Sequence, residues 1–290
     1  MEKCTLFYFT GSGNTKFVVE NFALNLTGKY SVEIREIDKI TRGLDSFDDD
    51  FDVVGIIYPV HAFNAPAIFF EFIKHHLPEG KKRKAFIVKS PGDPFFQGGS
   101  SYQVRRALVK KDYTVFHESV IVMPANVFLR YPDNFITEIC IKSGEKITSA
   151  VREISSGIRR RHKNSIMINI STAIFSAMEQ LGSFCFGKDL KVSDQCTNCG
   201  KCIIECPTRN IKEGRHNKPS FGLKCIICMR CIYGCPVDAI SPKFMKFFKV
   251  KNWYDLKKLS NIDRNTFKES EDMKPFFNRY REYLDDKDAF

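Results

Sequence analysis

The chain has a single tryptophan in 290 residues, six histidines, and fewer acidic side chains (34) than basic ones (45). Its first residues, Met1-Glu2-Lys3-Cys4, enter an apolar stretch directly, with no basic-then-apolar leader closed by small residues. A secretory signal is therefore not expected, and a reducing cytoplasm is. No clean run of apolar residues is long enough to span a bilayer, since residues 165–187 are interrupted by Asn169, Glu179 and Gln180. No glycine loop ends in Lys-Ser or Lys-Thr, which argues against a nucleoside-triphosphate loop. No G-x-G-x-x-G is complete, so a built-in dinucleotide site is not expected.

Cysteine, by contrast, is abundant: 11 in all, eight of them between Cys196 and Cys235. That stretch reads C-T-N-C-G-K-C-I-I-E-C-P and then C-I-I-C-M-R-C-I-Y-G-C-P, two copies of C-x2-C-x2-C-x3-C-P. Three cysteines two residues apart converge on one cubic cluster when the backbone coils around it, and the fourth thiolate crosses to the other cluster. The spacing assigns Cys196, Cys199, Cys202 and Cys235 to one [4Fe–4S] cluster, and Cys225, Cys228, Cys231 and Cys206 to a second. Zinc is the weaker reading, because its sites use two C-x2-C pairs rather than repeated triples. A disulfide framework needs an oxidising compartment. Residues 188–242 resemble a bacterial-type two-cluster ferredoxin.

The N-terminal half alternates. Cys4 to Thr10 is an apolar strand, Gly11-Ser12-Gly13-Asn14-Thr15 a polar loop, and Lys16 to Leu26 has a helical period. Strands are expected at Ser31 to Ile37, Asp52 to Tyr58, Lys84 to Ser90 and Thr114 to Met123. Helices are expected from Pro66 to near Leu77, at Tyr102 to Lys110, and over most of Asp133 to Arg161. The fold class this implies is α/β, a doubly wound five-stranded parallel sheet, followed by a small α+β ferredoxin domain. Ligands bind such sheets at the carboxyl ends of the strands, where the strand order reverses. A glycine loop there offers backbone N–H groups and a helix N-terminus to a phosphate, and the hydroxyls of Thr10, Ser12 and Thr15 and the amide of Asn14 add donors. An ordinary strand-to-helix turn is the bland alternative.

The run T-G-S-G-N-T resembles the flavodoxin phosphate loop, T-x-[TS]-G-x-T, at Thr10, Ser12, Gly13 and Thr15. The resemblance implies FMN, with its phosphate at residues 10–15. The flavin ring would lie between a second loop (Tyr58, Pro59, Val60, His61, Ala62, Phe63, Asn64) and a third (Ser90, Gly92, Asp93). Backbone N–H groups of Val60 to Asn64 and of Gly92 are the candidates for the ring edge, and Tyr58, Phe63, Phe95 and Phe96 are the available aromatics. Flavodoxins often place a tryptophan and a tyrosine here, and this chain has no tryptophan in either loop. His61 is either a proton donor to the flavin or a loop residue without a role. Cys4, Cys140 and Cys185 are expected to be buried packing residues.

The whole chain resembles a family of flavodoxin–ferredoxin fusion proteins. The expected layout is a flavodoxin-like domain at 1–164, a linking helix at 165–187, a ferredoxin domain at 188–242 and a helical tail at 243–290. Arg159 to Lys163 is read as the charged end of a helix, and Lys201, Lys224 and Arg230 as charges that raise cluster potentials if they point inward. The net charge of +11 falls once two clusters of about −2 each and a phosphate are counted. Nucleic-acid binding is not expected, and redox partner proteins, acidic ones among them, are. The function implied is electron transfer between the clusters and FMN, joining one-electron to two-electron steps. The alternatives are a flavin-dependent reductase of a small substrate such as a quinone, or a nucleic-acid-binding protein with structural clusters.

Overall fold

A computed structural model describes residues 1–94, 97–162, 166–254, 256 and 275–286. The first unit runs β1 (Glu2–Tyr8), α1 (Asn14–Leu26), β2 (Tyr30–Glu36), α2 (Ile37–Thr41), β3 (Val53–Pro59), α3 (Ala67–His75), β4 (Lys84–Ser90), α4 (Tyr102–Lys110), β5 (Thr114–Val120) and α5 (Asp133–Ser155). Its five strands are all parallel, in the order β2-β1-β3-β4-β5. This is the flavodoxin-like order, with its reversal between β1 and β3.

The sequence explains the placement of the strands. β3 (V-V-G-I-I-Y-P) is buried at every position, as a central parallel strand covered on both faces must be. β2 mixes polar with apolar residues and lies at the edge. One apolar layer packs Val18 and Phe22 of α1 and Phe135 and Ile139 of α5 against the sheet. The other packs Phe69 and Phe72 of α3 and Val104 and Leu108 of α4 against the opposite face.

The second unit follows α6 (Ile166–Asp189): β6 (Leu190–Val192), α7 (Lys201–Ile204), β7 (Ile211–Glu213), β8 (Pro219–Phe221), α8 (Arg230–Tyr233) and β9 (Ile240–Pro242). β6 pairs antiparallel with β9, and β7 with β8. Its small core, centred on Phe186, Ile211, Phe221, Met229 and Ile240, includes Cys206. A unit this size buries too little apolar surface to stand alone, and bound clusters supply the remainder. Beyond it, Trp253 stacks on Tyr233 at 3.9 Å, and α9 (Pro275–Asp285) buries Tyr280 against Tyr131 and Phe135.

The structure bears on three expectations. The helix expected over most of Asp133 to Arg161 runs to Ser155, where Gly157 turns with φ +71°, and Arg160 then pairs its backbone beside β5 at His117 and its guanidinium with Glu153. Cys185 is exposed on α6 rather than packed inside, whereas Cys4 and Cys140 are buried. On α6, Met167, Ile170, Ile174, Met178, Leu181 and Phe184 are exposed, while Phe186 near its end is part of the second unit's core. Phe95, Phe96 and Leu259, and the domain boundary expected at 164–165, lie outside the described residues, as does Lys163.

Candidate functional site

The eight motif cysteines surround two cavities. Cys206, Cys225, Cys228 and Cys231 line one, and Cys196, Cys199, Cys202 and Cys235 line the other. Each cavity takes three thiols from one motif copy and one from the other, which is the crossing expected from the spacing. Among the described residues, no three His, Cys, Asp or Glu groups converge closely enough for a single ion. Backbone N–H groups of Asn210, Ile227 and Ala239 donate to the sulfurs of Cys206, Cys225 and Cys235 at 3.2, 3.4 and 3.2 Å. Such bonds stabilise thiolate charge and raise the potential of whatever the sulfurs hold. Burial pushes the Cys228 thiol up to about 11. A thiol so placed loses its proton at neutral pH only when a metal replaces it.

A third cavity lies at the carboxyl ends of the strands. Thr10, Gly11, Ser12, Asn14 and Thr15 form one wall, Pro59, Val60 and His61 a second, Ser90 and Gly92 a third, and Pro124 and Asn126 a fourth. Gly13 takes φ +104° at the start of α1 and donates its N–H to Thr10 Oγ1 at 3.1 Å, which turns the loop. The Ser90 hydroxyl is buried here with no protein partner, the kind of orphan a bound ligand satisfies.

Not every expected side chain is free to meet a ligand here. The Asn14 amide donates to the Pro124 carbonyl at 2.6 Å and meets Tyr254 Oη, so it braces the tail rather than a phosphate. Tyr58 is fully buried, donates to the Ser100 carbonyl at 2.9 Å and packs on Phe69, so it cannot stack on a ligand. Phe63 packs on Phe175 of α6, and Asn64 pairs its backbone with His61 and donates its amide to Ser176. Ala62, Phe63, Asn64 and Asp93 are absent from the cavity wall. Pro124 and Asn126 were missed because the loop after β5 carries no motif. Strand order alone brings that loop to the site, and Asn126 donates to Ser12 Oγ at 3.1 Å.

The cavities adjoin. The Cα of Gly11 abuts the Cys228 carbonyl so tightly that a Cβ on Gly11 would stand 1.9 Å from that oxygen. Arg230, between two motif cysteines, donates to Asp38 Oδ2 at 2.8 Å, Glu36 Oε1 at 3.0 Å and the Thr10 carbonyl at 2.5 Å. Its charge serves the junction and also favours the thiolate of the neighbouring Cys228. Tyr233 donates to the Asn126 carbonyl at 2.8 Å, and Arg42 to the Ile204 carbonyl at 2.5 Å.

His61 and Glu179 close the side beneath α6, with His61 Nδ1 3.9 Å from Glu179 Oε1. Burial pushes the Glu179 carboxyl up to about 7 and holds His61 down to about 4. The folded chain thus keeps the Glu179 proton to about pH 7, while the unfolded chain releases it near 4.5. Its contribution to stability is fully present below pH 4.5 and is lost as pH rises to about 7. His61 acts oppositely: the folded state is neutral to about pH 4, so stability falls as pH drops below 6.5. Glu179→Gln is expected to leave unfolding near pH 4.5 unchanged and to raise the thermal midpoint at pH 8, by up to about 3 kcal/mol of stability. Unfolding scans of the loaded chain at both pH values check this, and equal shifts at both would refute the assignment.

A 4Fe-4S dicluster domain family matches residues 188–241. A ferredoxin from Rickettsia felis is 31% identical over 103 residues, covering 31% of this chain and 92% of that protein. Among solved structures, a flavodoxin from the Archaea is 15% identical, covering 52% of this chain and 99% of its own, with a TM-score of 0.35. The two-electron reduced Megasphaera elsdenii flavodoxin is 16% identical, covering 41% and 85%, with a TM-score of 0.34. At that level the likeness adds nothing to what the strand order already gives. With nine-tenths of that ferredoxin matched at 31% identity, the chain belongs to the ferredoxin family, its dicluster domain joined to a sheet of flavodoxin-like fold.

Proposed function

We propose that this protein transfers electrons between two [4Fe–4S] clusters and an FMN held against one of them. The contact between Gly11 and Cys228 carries this reading, because one backbone crossing forms both the phosphate-loop wall and a cysteine cavity wall. Clusters pass electrons singly and FMN accepts one or two, so a chain holding all three joins single-electron to paired chemistry. Cys206, Cys225, Cys228 and Cys231 are assigned to the nearer cluster, and Cys196, Cys199, Cys202 and Cys235 to the farther. Gly11, Ser12 and Thr15 would receive the phosphate on backbone N–H and hydroxyl groups, and Ser90 and Gly92 would meet the ring edge. Glu179, protonated to about pH 7, would hold a proton beside His61 near that edge.

The partner is assigned to the farther end. Lys188, Lys191, Arg215 and Lys218 line a groove of about 550 Å³ between β6 and the β7–β8 pair. Its walls share Leu190 and Phe221 with one cysteine cavity and Pro219 with the other. A basic groove at that position suits an acidic redox protein, whose docking would weaken with salt.

Protein purified without oxygen should contain about eight irons per chain, as much sulfide, and about one FMN. Rapid reduction of the clusters should then bleach the flavin at a rate independent of protein concentration. Eight irons with no flavin retained after incubation with FMN would overturn the flavin half. A rate proportional to concentration would overturn the internal route.

A further inference from the structure

A helix on a protein surface ordinarily hides its apolar side. α6 does the reverse. Thr172 and Ser183 are buried, Ser176 accepts from Asn64, and Glu179 lies beside His61, all on its inner face. The outer face exposes Met167 (80%), Ile170 (55%), Ile174 (55%), Met178 (61%), Leu181 (68%) and Phe184 (42%). These residues recur at steps of three and four along the length of the helix. With side chains of about 200 Å² each, they present roughly 700 Å² of apolar surface, beyond the ~300–600 Å² of the largest patch on a typical monomer.

We propose that two copies of this chain pair through α6, stripe against stripe, about a two-fold axis. Three features favour a second copy. The area is close to the ~800 Å² per partner of a standard stable interface. Three-and-four spacing is the seam of paired helices, and a two-fold axis makes such a seam self-complementary. The outer face is also uncharged. Between Ile166 and Gly187 the one ionisable acid or base is Glu179, which faces inward, so nothing repels a copy. A helix lying on an anionic bilayer carries lysine or arginine along its rim, and this stretch has none. Pairing would also press the inner face of α6 onto the His61–Asn64 loop and fix that wall of the cavity.

The test is the mass of the cluster-loaded full chain by light scattering at micromolar concentration. A dimer, twice 33.4 kDa, is expected. Ile174→Glu with Leu181→Glu, both at exposed positions, should yield a 33.4 kDa monomer with its iron intact. Should that variant lose iron, Ile174→Gln with Leu181→Gln carries the same expectation, a dimer dissociation constant raised at least about tenfold. A wild-type chain that stays monomeric would overturn the proposal, as would a dimer that survives both variants. Monomers that sediment with phosphatidylglycerol vesicles, and lose that property on Ile174→Glu with Leu181→Glu, would assign the face to lipid and overturn it too.

Discussion

Gly11→Val should part the two domains while leaving each cofactor site able to load. The first added carbon would sit 1.9 Å from the Cys228 oxygen, 2.9 Å from its carbonyl carbon and 3.2 Å from its Cα. All three are backbone atoms of a loop fixed by cysteines on either side, so no rotamer change relieves the clash. Overpacking a tight contact costs about 1–3 kcal/mol where side chains can yield, and more where only backbone can move. The cheapest response is for the dicluster domain to lift away, which also breaks the Arg230–Thr10 bond. Iron and flavin should stay near wild type, the radius of gyration in solution should rise, and the internal cluster-to-flavin rate should fall at least about tenfold. Gly13→Ala is the control. It lies two residues along the same loop at φ +104°, where an added Cβ meets nothing within 4 Å. It should cost about 1–2 kcal/mol of backbone strain and leave the internal rate alone. Equal rate losses in the two variants would mean that loop strain, not domain contact, sets the rate.

That contact shows how far the sequence could be read. The doubled cysteine run gave the two quartets, because ligand spacing is local and the crossing rule follows from it. The alternation of strand and helix gave the parallel sheet, and the sheet gave the loops that meet at its carboxyl edge. None of this says where a second domain docks. Docking rests on contacts such as Gly11 with Cys228 and Arg230 with Asp38, more than 190 residues apart in the chain. Neither Gly11 nor Arg230 carries a mark of its partner. Gly11 reads as turn chemistry, and Arg230 as a charge among ligands.

Side-chain direction was also beyond local pattern. Tyr58 closes a strand buried on both faces, so a one-residue alternation decides whether it meets the ligand or the core, and it meets the core. α6 is the stronger case. In the sequence it reads as a helix linking the two domains, apolar in places. The interior it meets is the polar loop around His61 and Asn64, which takes the Thr172–Ser176–Glu179 side instead. An apolar period announces that a face will be covered. It does not say by what.

Arg230→Ala should be the most destabilising exchange outside the cysteines. The guanidinium meets the carboxylates of Asp38 and Glu36 and the carbonyls of Thr10 and Glu205, and it lies 5.3 Å from the Phe9 ring centre. Asp38 has no exposed side-chain surface. Removing one partner of a buried pair typically costs about 3–5 kcal/mol, because the other charge is left in a poor solvent. Arg42, 2.9 Å from Asp38 Oδ2, retains part of the compensation and places the expected loss near the lower end of that range. Arg230→Lys should lie between, since an ammonium cannot span two carboxylates as a fork does. The loss should depend on pH with a definite sign. Burial raises the Glu36 carboxyl above its ordinary value, the neighbouring Asp38 adds to this, and Arg230 opposes both. Without Arg230 the Glu36 carboxyl rises further. The folded state then binds a proton that the unfolded chain has released, and stability is lost as pH climbs through the raised value. The variant should therefore suffer most at pH 8 and recover toward wild type as the pH approaches 5. Unfolding of Arg230→Ala and wild type at several pH values reads this directly. A deficit independent of pH would place the energy in packing on Phe9 and in the lost carbonyl bonds, and would remove Glu36 from the ion-pair cluster.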